Sequence, residues 1–367
     1  MPSTRKRLWL LVISLLACLT LGFGPPTLTD GDIPTRTLTP HQLRAMRVSA
    51  PPTISAGSAL LVNVSSREIL YEKNARERRA PASLTKLATA LVTLQRGNLD
   101  AEYPVWPVDL AATSSAGLRN GEYVTVWQLL HFMLIPSDNA AAACLARNLG
   151  EDAGTFVGWM NELAASLGLQ DTHFANPHGL DDPELYSTAY DMAILALHAM
   201  QDQRIAGLVS MSEAVVAKHW LINTNQLLSS YPGTIGVKTG TEEKAGECLI
   251  ALVKRPQGTV MSVVMGSTDR YLDSVLLLDH YFANYAEVTI STPDITLNRY
   301  QDDDGVWRSV RIEEPISLLV HPWQTGTLSV YRRIDDTRGG LASGTTVGAL
   351  EISVAGQLVR SEPLYVR

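Results

Sequence analysis

Apolar residues fall along this chain in three regimes. From Leu8 to Phe23 they are almost continuous. Between about residues 54 and 287 they switch between strand and helix spacing. Ser58 to Val64 predicts a strand and Ile69 to Glu72 its hairpin partner. Pro81 to Gln95 predicts an apolar helix, with Pro81 near the first turn, where proline is tolerated. Trp127 to Leu134, Ala140 to Leu149, Phe156 to Leu167, Thr188 to Met200 and Val275 to Tyr285 predict further helices. Gly233 to Gly240 predicts a strand. Cys248 to Lys254 and Val260 to Gly266 predict a hairpin around Pro256-Gln257-Gly258. Strands at both ends with helices between predict a sheet whose first and last segments pair, beside a helical block.

After Val288 the pattern changes. Val288–Ile290, Val306–Ile312, Ile316–Val320, Leu328–Arg332 and Leu350–Val354 are short alternating segments separated by Gly, Asp and Pro. They predict a small all-β domain over 288–367. The fold class expected is therefore α/β (α+β): an antiparallel sheet with a helical subdomain, followed by the β-domain. Asp302-Asp303-Asp304-Gly305 lacks the remaining ligand spacing of a calcium loop and predicts a hairpin turn.

The N-terminus carries a different signal. Arg5-Lys6-Arg7 precede the apolar run and Pro25-Pro26 follow it, as in a signal peptide or N-terminal membrane anchor over 1–24. Residues 25–53, rich in Pro, Thr and Asp, predict a flexible spacer. Under either export reading the remainder of the chain is extracytoplasmic, in the cell envelope.

Composition narrows the chemistry. Of 367 residues, 46% are hydrophobic and 18% charged, enough apolar material for a large packed core. A net charge of −7, with no basic run after the N-terminus, argues against nucleic acid as a partner. Of three cysteines, Cys18 lies in the leader and Cys144 and Cys248 sit in apolar stretches, where they read as small buried hydrophobes. His173 and His178 have no second ligand cluster and read as loop residues. No metal or other cofactor is expected.

Three short motifs carry candidate catalysis. Ser83-Leu84-Thr85-Lys86 sits among small and apolar residues on a helix predicted to be buried. Desolvation lowers a lysine's pKa, so Lys86 can take the proton of Ser83 and make it a nucleophile without histidine. Ser137-Asp138-Asn139 follows Pro136. Ser137 can relay a proton, Asn139 can hold both the lysine and a substrate carbonyl, and Ser and Asp also suit a helix cap. Lys238-Thr239-Gly240 ends a predicted strand. Lys238 and Thr239 can bind a carboxylate, and Gly240 leaves room for a substrate backbone along the strand edge.

In this order, the three motifs resemble those of the low-molecular-mass penicillin-binding proteins, the serine-type D-alanyl-D-alanine carboxypeptidases, with their β-lactamase/transpeptidase-like fold. The resemblance extends to Thr172–Leu180, Tyr186–Asp191 and Asn223–Leu228, and covers about residues 54–287. It implies an acyl-enzyme on Ser83, formed from a peptidoglycan stem pentapeptide, with Lys86 as general base. Ser137 would protonate the departing D-alanine. Asn139, Lys238, Thr239, Gly240 and Thr241 would bind substrate, with the Ser83 and Thr241 N–H groups as the oxyanion donors. β-Lactams would trap the enzyme. Competing readings are a D,D-endopeptidase, a class A-like β-lactamase, and a non-catalytic wall-binding or β-lactam-sensing module. Glu242-Glu243-Lys244 makes the end of the third-motif strand unusually charged.

Overall fold

The computed structural model of the protein describes residues 49–111, 115–292 and 298–367. The predicted leader and the spacer up to residue 48 lie outside the described residues. At the spacer's end Ser49 is held, donating its N–H to Asn284 Oδ1 at 2.7 Å.

The strands are β1 (Ser58–Asn63), β2 (Ile69–Lys73), β3 (Glu102–Pro104), β4 (Tyr123–Thr125), β5 (Glu213–Val216), β6 (His219–Ile222), β7 (Thr234–Glu242), β8 (Gly246–Arg255) and β9 (Gly258–Ser267). They continue with β10 (Ala286–Ile290), β11 (Arg299–Gln301), β12 (Trp307–Arg311), β13 (Ile316–Val320), β14 (Leu328–Ile334), β15 (Thr346–Val354) and β16 (Gln357–Val366). The central sheet is antiparallel, in the order β2-β1-β9-β8-β7. β1 pairs with β9, so the first and last segments meet as predicted.

Both faces of this sheet are covered, which explains its burial pattern. Every residue of β1 is buried. Leu60 and Val62 face a core shared with the helical block, whereas Ala59 and Leu61 face the helix Arg270–Asn284. A period of two delivers alternate side chains to the two cores. In the helical block, Val126–Leu134, Asn139–Leu149, Ala153–Ser166 and Ala189–Ala199 pack around the helix Lys86–Arg96. That helix buries each residue from Lys86 to Thr93. Cys144 and Cys248 are buried free thiols.

Several elements differ from the sequence expectation. The helix predicted over Pro81–Gln95 is a 3-10 turn, Ala82–Thr85, followed by the α-helix Lys86–Arg96. The helix predicted from Val275 begins at Arg270, because Asp269 caps the N–H groups of Tyr271 and Leu272 before the apolar pattern starts. Short elements with little apolar periodicity escaped prediction: the β3–β4 and β5–β6 pairs, and the helices Pro107–Leu110 and Gln203–Ser210.

The C-terminal region is all-β apart from the 3-10 turn Pro322–Thr327. β10 pairs with β13, and the remaining strands form a sheet in the order β11-β12-β16-β15-β14. Its own core contains Val310, Leu350, Ile352 and Leu364. Asp302 shapes the turn between β11 and β12 by accepting from the N–H groups of Asp304 and Val306. Strand β10 straddles residue 287, where the sequence reading ends the first domain.

Asp273 ties the chain before β1 to the helix Arg270–Asn284. Its carboxylate accepts from Ser55 N at 2.9 Å, Ala56 N at 2.7 Å and the hydroxyls of Ser55 and Ser267 at 2.7 and 2.6 Å. Asp273→Ala leaves buried donors without an acceptor. It is expected to cost about 2–4 kcal/mol in a denaturant titration; a loss below about 0.5 kcal/mol contradicts this role.

Candidate active site

The 3-10 turn sets the first contact. With three residues per turn, side chains at i and i+3 eclipse. Ser83 and Lys86 stand in that relation, and Lys86 Nζ lies 2.6 Å from Ser83 Oγ. The turn is entered through Ala82, which has a left-handed φ of 50°. Gly179 packs on this bend at φ 91°, where an added Cβ would come within 2.0 Å of Ala82 O. Only glycine fits both constraints.

Lys86 is fully buried. Besides Ser83, its amine meets Asn139 Oδ1 at 2.5 Å and the His178 carbonyl at 2.9 Å. Burial pulls its pKa down to about 7, against the opposing charges of Asp138 and Glu242. An uncharged amine has two N–H donors and one lone pair. Asn139 and His178 accept the two N–H bonds, which leaves the lone pair for the Ser83 hydroxyl. The His178 ring is held down to about 4 by burial and by Lys86, so it is neutral near pH 7.

The second motif approaches from the other side. Asp138 caps the helix Asn139–Leu149 by accepting from Ala141 N at 2.9 Å, and it also accepts from Ala116 N. This cap directs Asn139 at Lys86. Ser137, at φ 66°, is a second non-glycine residue in the left-handed region beside the nucleophile. The motif thus caps the helix through Asp138 while Asn139 contacts Lys86.

The third motif lies on β7, the edge strand of the sheet. A Cβ at Gly240 would come within 3.0 Å of Ser83 N, so the bare glycine lets the strand lie against the nucleophile. Thr239 Oγ1 is 2.5 Å from Thr224 Oγ1. Lys238 is buried, donates to the Thr239 carbonyl at 3.0 Å, and has its pKa held well down by burial and by the charges of Lys86 and Arg270.

These residues surround a cavity of about 290 Å³. Ser83, Ser137, Asn139, Thr239, Gly240 and Thr241 line it, whereas Lys86 and Lys238 are buried beside it. The structure thus brings together all eight predicted residues. Sequence reasoning missed Thr224, Arg270 and Tyr271, which also line the cavity. Arg270 donates to Gly240 O at 2.7 Å and Thr241 Oγ1 at 2.5 Å. Tyr271 donates to Thr224 O at 2.6 Å. Thr224 belongs to a segment that signalled the family, but Arg270 has no such local signal. His173 and His178 lie apart from any metal cluster: among the described residues, no group of three or more His, Cys, Asp or Glu side chains could hold a metal ion.

The model of the D-alanyl-D-alanine carboxypeptidase family matches residues 44–269. The chain is 31% identical over 330 residues to D-alanyl-D-alanine carboxypeptidase DacF of Bacillus subtilis, covering 85% of each. It is 35% identical over 260 residues to a D-alanyl-D-alanine carboxypeptidase of Streptomyces sp. strain K15, covering 63% of this chain and 89% of that one. Among solved structures, it resembles penicillin binding protein 5 from Haemophilus influenzae with a TM-score of 0.72 and 26% identity, over 87% of this chain and 98% of that one. The family match spans all three motifs, and the chain belongs to the D-alanyl-D-alanine carboxypeptidase family, the low-molecular-mass penicillin-binding proteins.

Proposed function

We propose that this protein is a serine D,D-carboxypeptidase that removes the terminal D-alanine from peptidoglycan stem pentapeptides through an acyl-enzyme on Ser83. The observation that carries the reading is the Lys86 amine, buried, with its pKa pulled down to about 7 so that an uncharged fraction is present near neutrality, and 2.6 Å from Ser83 Oγ. Ser83 Oγ attacks the carbonyl of the penultimate D-alanine while Lys86 takes its proton. The N–H groups of Ser83 and Thr241 receive the developing oxyanion. As the tetrahedral intermediate collapses, the C–N bond breaks and the proton passes from Lys86 through Ser137 to the leaving amine. Water then adds to the ester as Lys86 takes one of its protons, and the acyl C–O bond breaks with that proton passed to the Ser83 oxygen.

Substrate placement follows from the edge strand. β7 can accept an extended peptide as an additional strand. Asn139, satisfied by Lys86 at its oxygen, keeps its amide N–H₂ for a substrate carbonyl. Arg270 places positive charge at one end, suited to the terminal carboxylate, with Lys238 and Thr239 as further donors. A β-lactam presents the same carboxylate and acyl carbonyl and would acylate Ser83.

Residues 54–287 form the catalytic domain in this account, and 288–367 a separate β-domain. Its separate core supports the division. Arg5-Lys6-Arg7 and the apolar run after them support export, with the N-terminal segment as leader or membrane anchor.

Mass spectrometry with penicillin tests the acyl-enzyme. A covalent adduct is expected on Ser83 and none in Ser83→Ala; an adduct that survives the substitution overturns the mechanism. Purified enzyme is expected to release D-alanine from a pentapeptide. Cleavage of cross-linked dimers without that release would favour the endopeptidase reading, and rapid penicillin turnover the β-lactamase. Because protonated Lys86 cannot act as base, acylation is expected to fall about tenfold per pH unit below about 7 and to level off above it. A flat profile from pH 5 to 9 contradicts the assignment of Lys86.

A further inference from the structure

Strand β7 carries opposite charges along one face. Side chains on a strand alternate, which places Lys238, Gly240 and Glu242 on the same side. Gly240 marks that side, since a Cβ there would meet Ala82 Cβ and Ser83 N at 3.0 Å. Successive members of this row are about 6.6 Å apart. The nucleophile therefore sits between the Lys238 end, where Arg270 brings a positive charge, and an anionic end at Glu242.

Glu242 lines the cavity. Its carboxylate makes no hydrogen bond or ion pair among the described residues. Asp181 stands beside it, on the loop that supplies the His178 carbonyl to Lys86. One oxygen of Asp181 accepts from Lys244 N at 3.0 Å, and the other is buried with no hydrogen-bond partner. Burial and the charge of Asp181 push the Glu242 pKa up. Glu242 thus borders the substrate cavity with Asp181 behind it, neither carboxylate in an ion pair among the described residues, and the Lys244 side chain beyond them is exposed.

We infer that Glu242, supported by Asp181, forms a subsite for the ammonium group of a basic side chain on the residue preceding D-alanyl-D-alanine. The assignment rests on the carboxypeptidase reading above. A peptide along β7 with its terminal carboxylate near Lys238 and Arg270 has its scissile carbonyl beside Ser83 and Gly240. The preceding residue then lies one strand step further, next to Glu242. An ammonium there pairs with the Glu242 carboxylate and offsets its repulsion with Asp181.

The test compares D-alanine release from Nα-acetyl-L-lysyl-D-alanyl-D-alanine with release from the same peptide acetylated at both amines. The wild-type enzyme is expected to favour the free amine by about tenfold in kcat/KM, the scale of one charge-assisted hydrogen bond. Glu242→Gln is expected to bring that ratio close to one, and Asp181→Asn to lower it. A folding defect scales both rates equally and leaves the ratio intact. Equal wild-type rates, or an unchanged ratio in Glu242→Gln, overturn the subsite. Release from neither peptide overturns the carboxypeptidase reading itself, and the subsite with it.

Discussion

The site depends on one constraint: an amine buried away from water, with only Asn139 Oδ1, the His178 carbonyl and Ser83 Oγ as its hydrogen-bond neighbours. A fully buried ammonium is costly, and the protein lowers that cost by letting Lys86 lose its proton near neutrality. Two fixed acceptors, Asn139 Oδ1 and the His178 carbonyl, orient what remains. The third direction faces Ser83. Each larger element serves this arrangement. The helical block excludes water from Lys86, the Asp138 cap aims Asn139, and Gly179 supports the bend that holds Ser83.

Charge around the lysine is ordered as well. Lys86, Lys238 and Arg270 lie close enough for Lys238 to be strongly depressed. Arg270 is partly balanced by Glu247, which accepts from its Nε at 3.3 Å. A substrate carboxylate entering there compensates positive charge the fold already bears. At the far end of the same strand the sign reverses at Glu242. In the proposed binding mode this reversal favours one direction for a peptide along β7, the one that brings its penultimate carbonyl to Ser83.

Much of this was legible in the sequence because the decisive signals are local. Ser83 and Lys86 are three residues apart, and the apolar run Leu87–Val92 announces a buried helix. The strands β8 and β9, buried along their middles, read as apolar runs, and their hairpin turn is short. Arg270 was not legible. It is thirty positions beyond Gly240, at a helix start created by the Asp269 cap before any apolar periodicity begins. The β5–β6 hairpin was missed because Val215, Trp220 and Ile222 are exposed, so its apolar residues do not record which face is inside. The 3-10 geometry at Ser83 was also hidden. It arises from packing of Gly179 and Gly240 against Ala82, contacts made by distant parts of the chain.

The central claim is that Lys86 is the base because burial lets it lose its proton near neutrality. A direct measurement is an NMR titration of protein labelled with ¹⁵N at lysine Nζ, with the Lys86 signal assigned by its loss in Lys86→Met. The account predicts a titration near pH 7 for Lys86. A Lys86 amine that stays protonated up to about pH 10, the ordinary range for lysine, would contradict it.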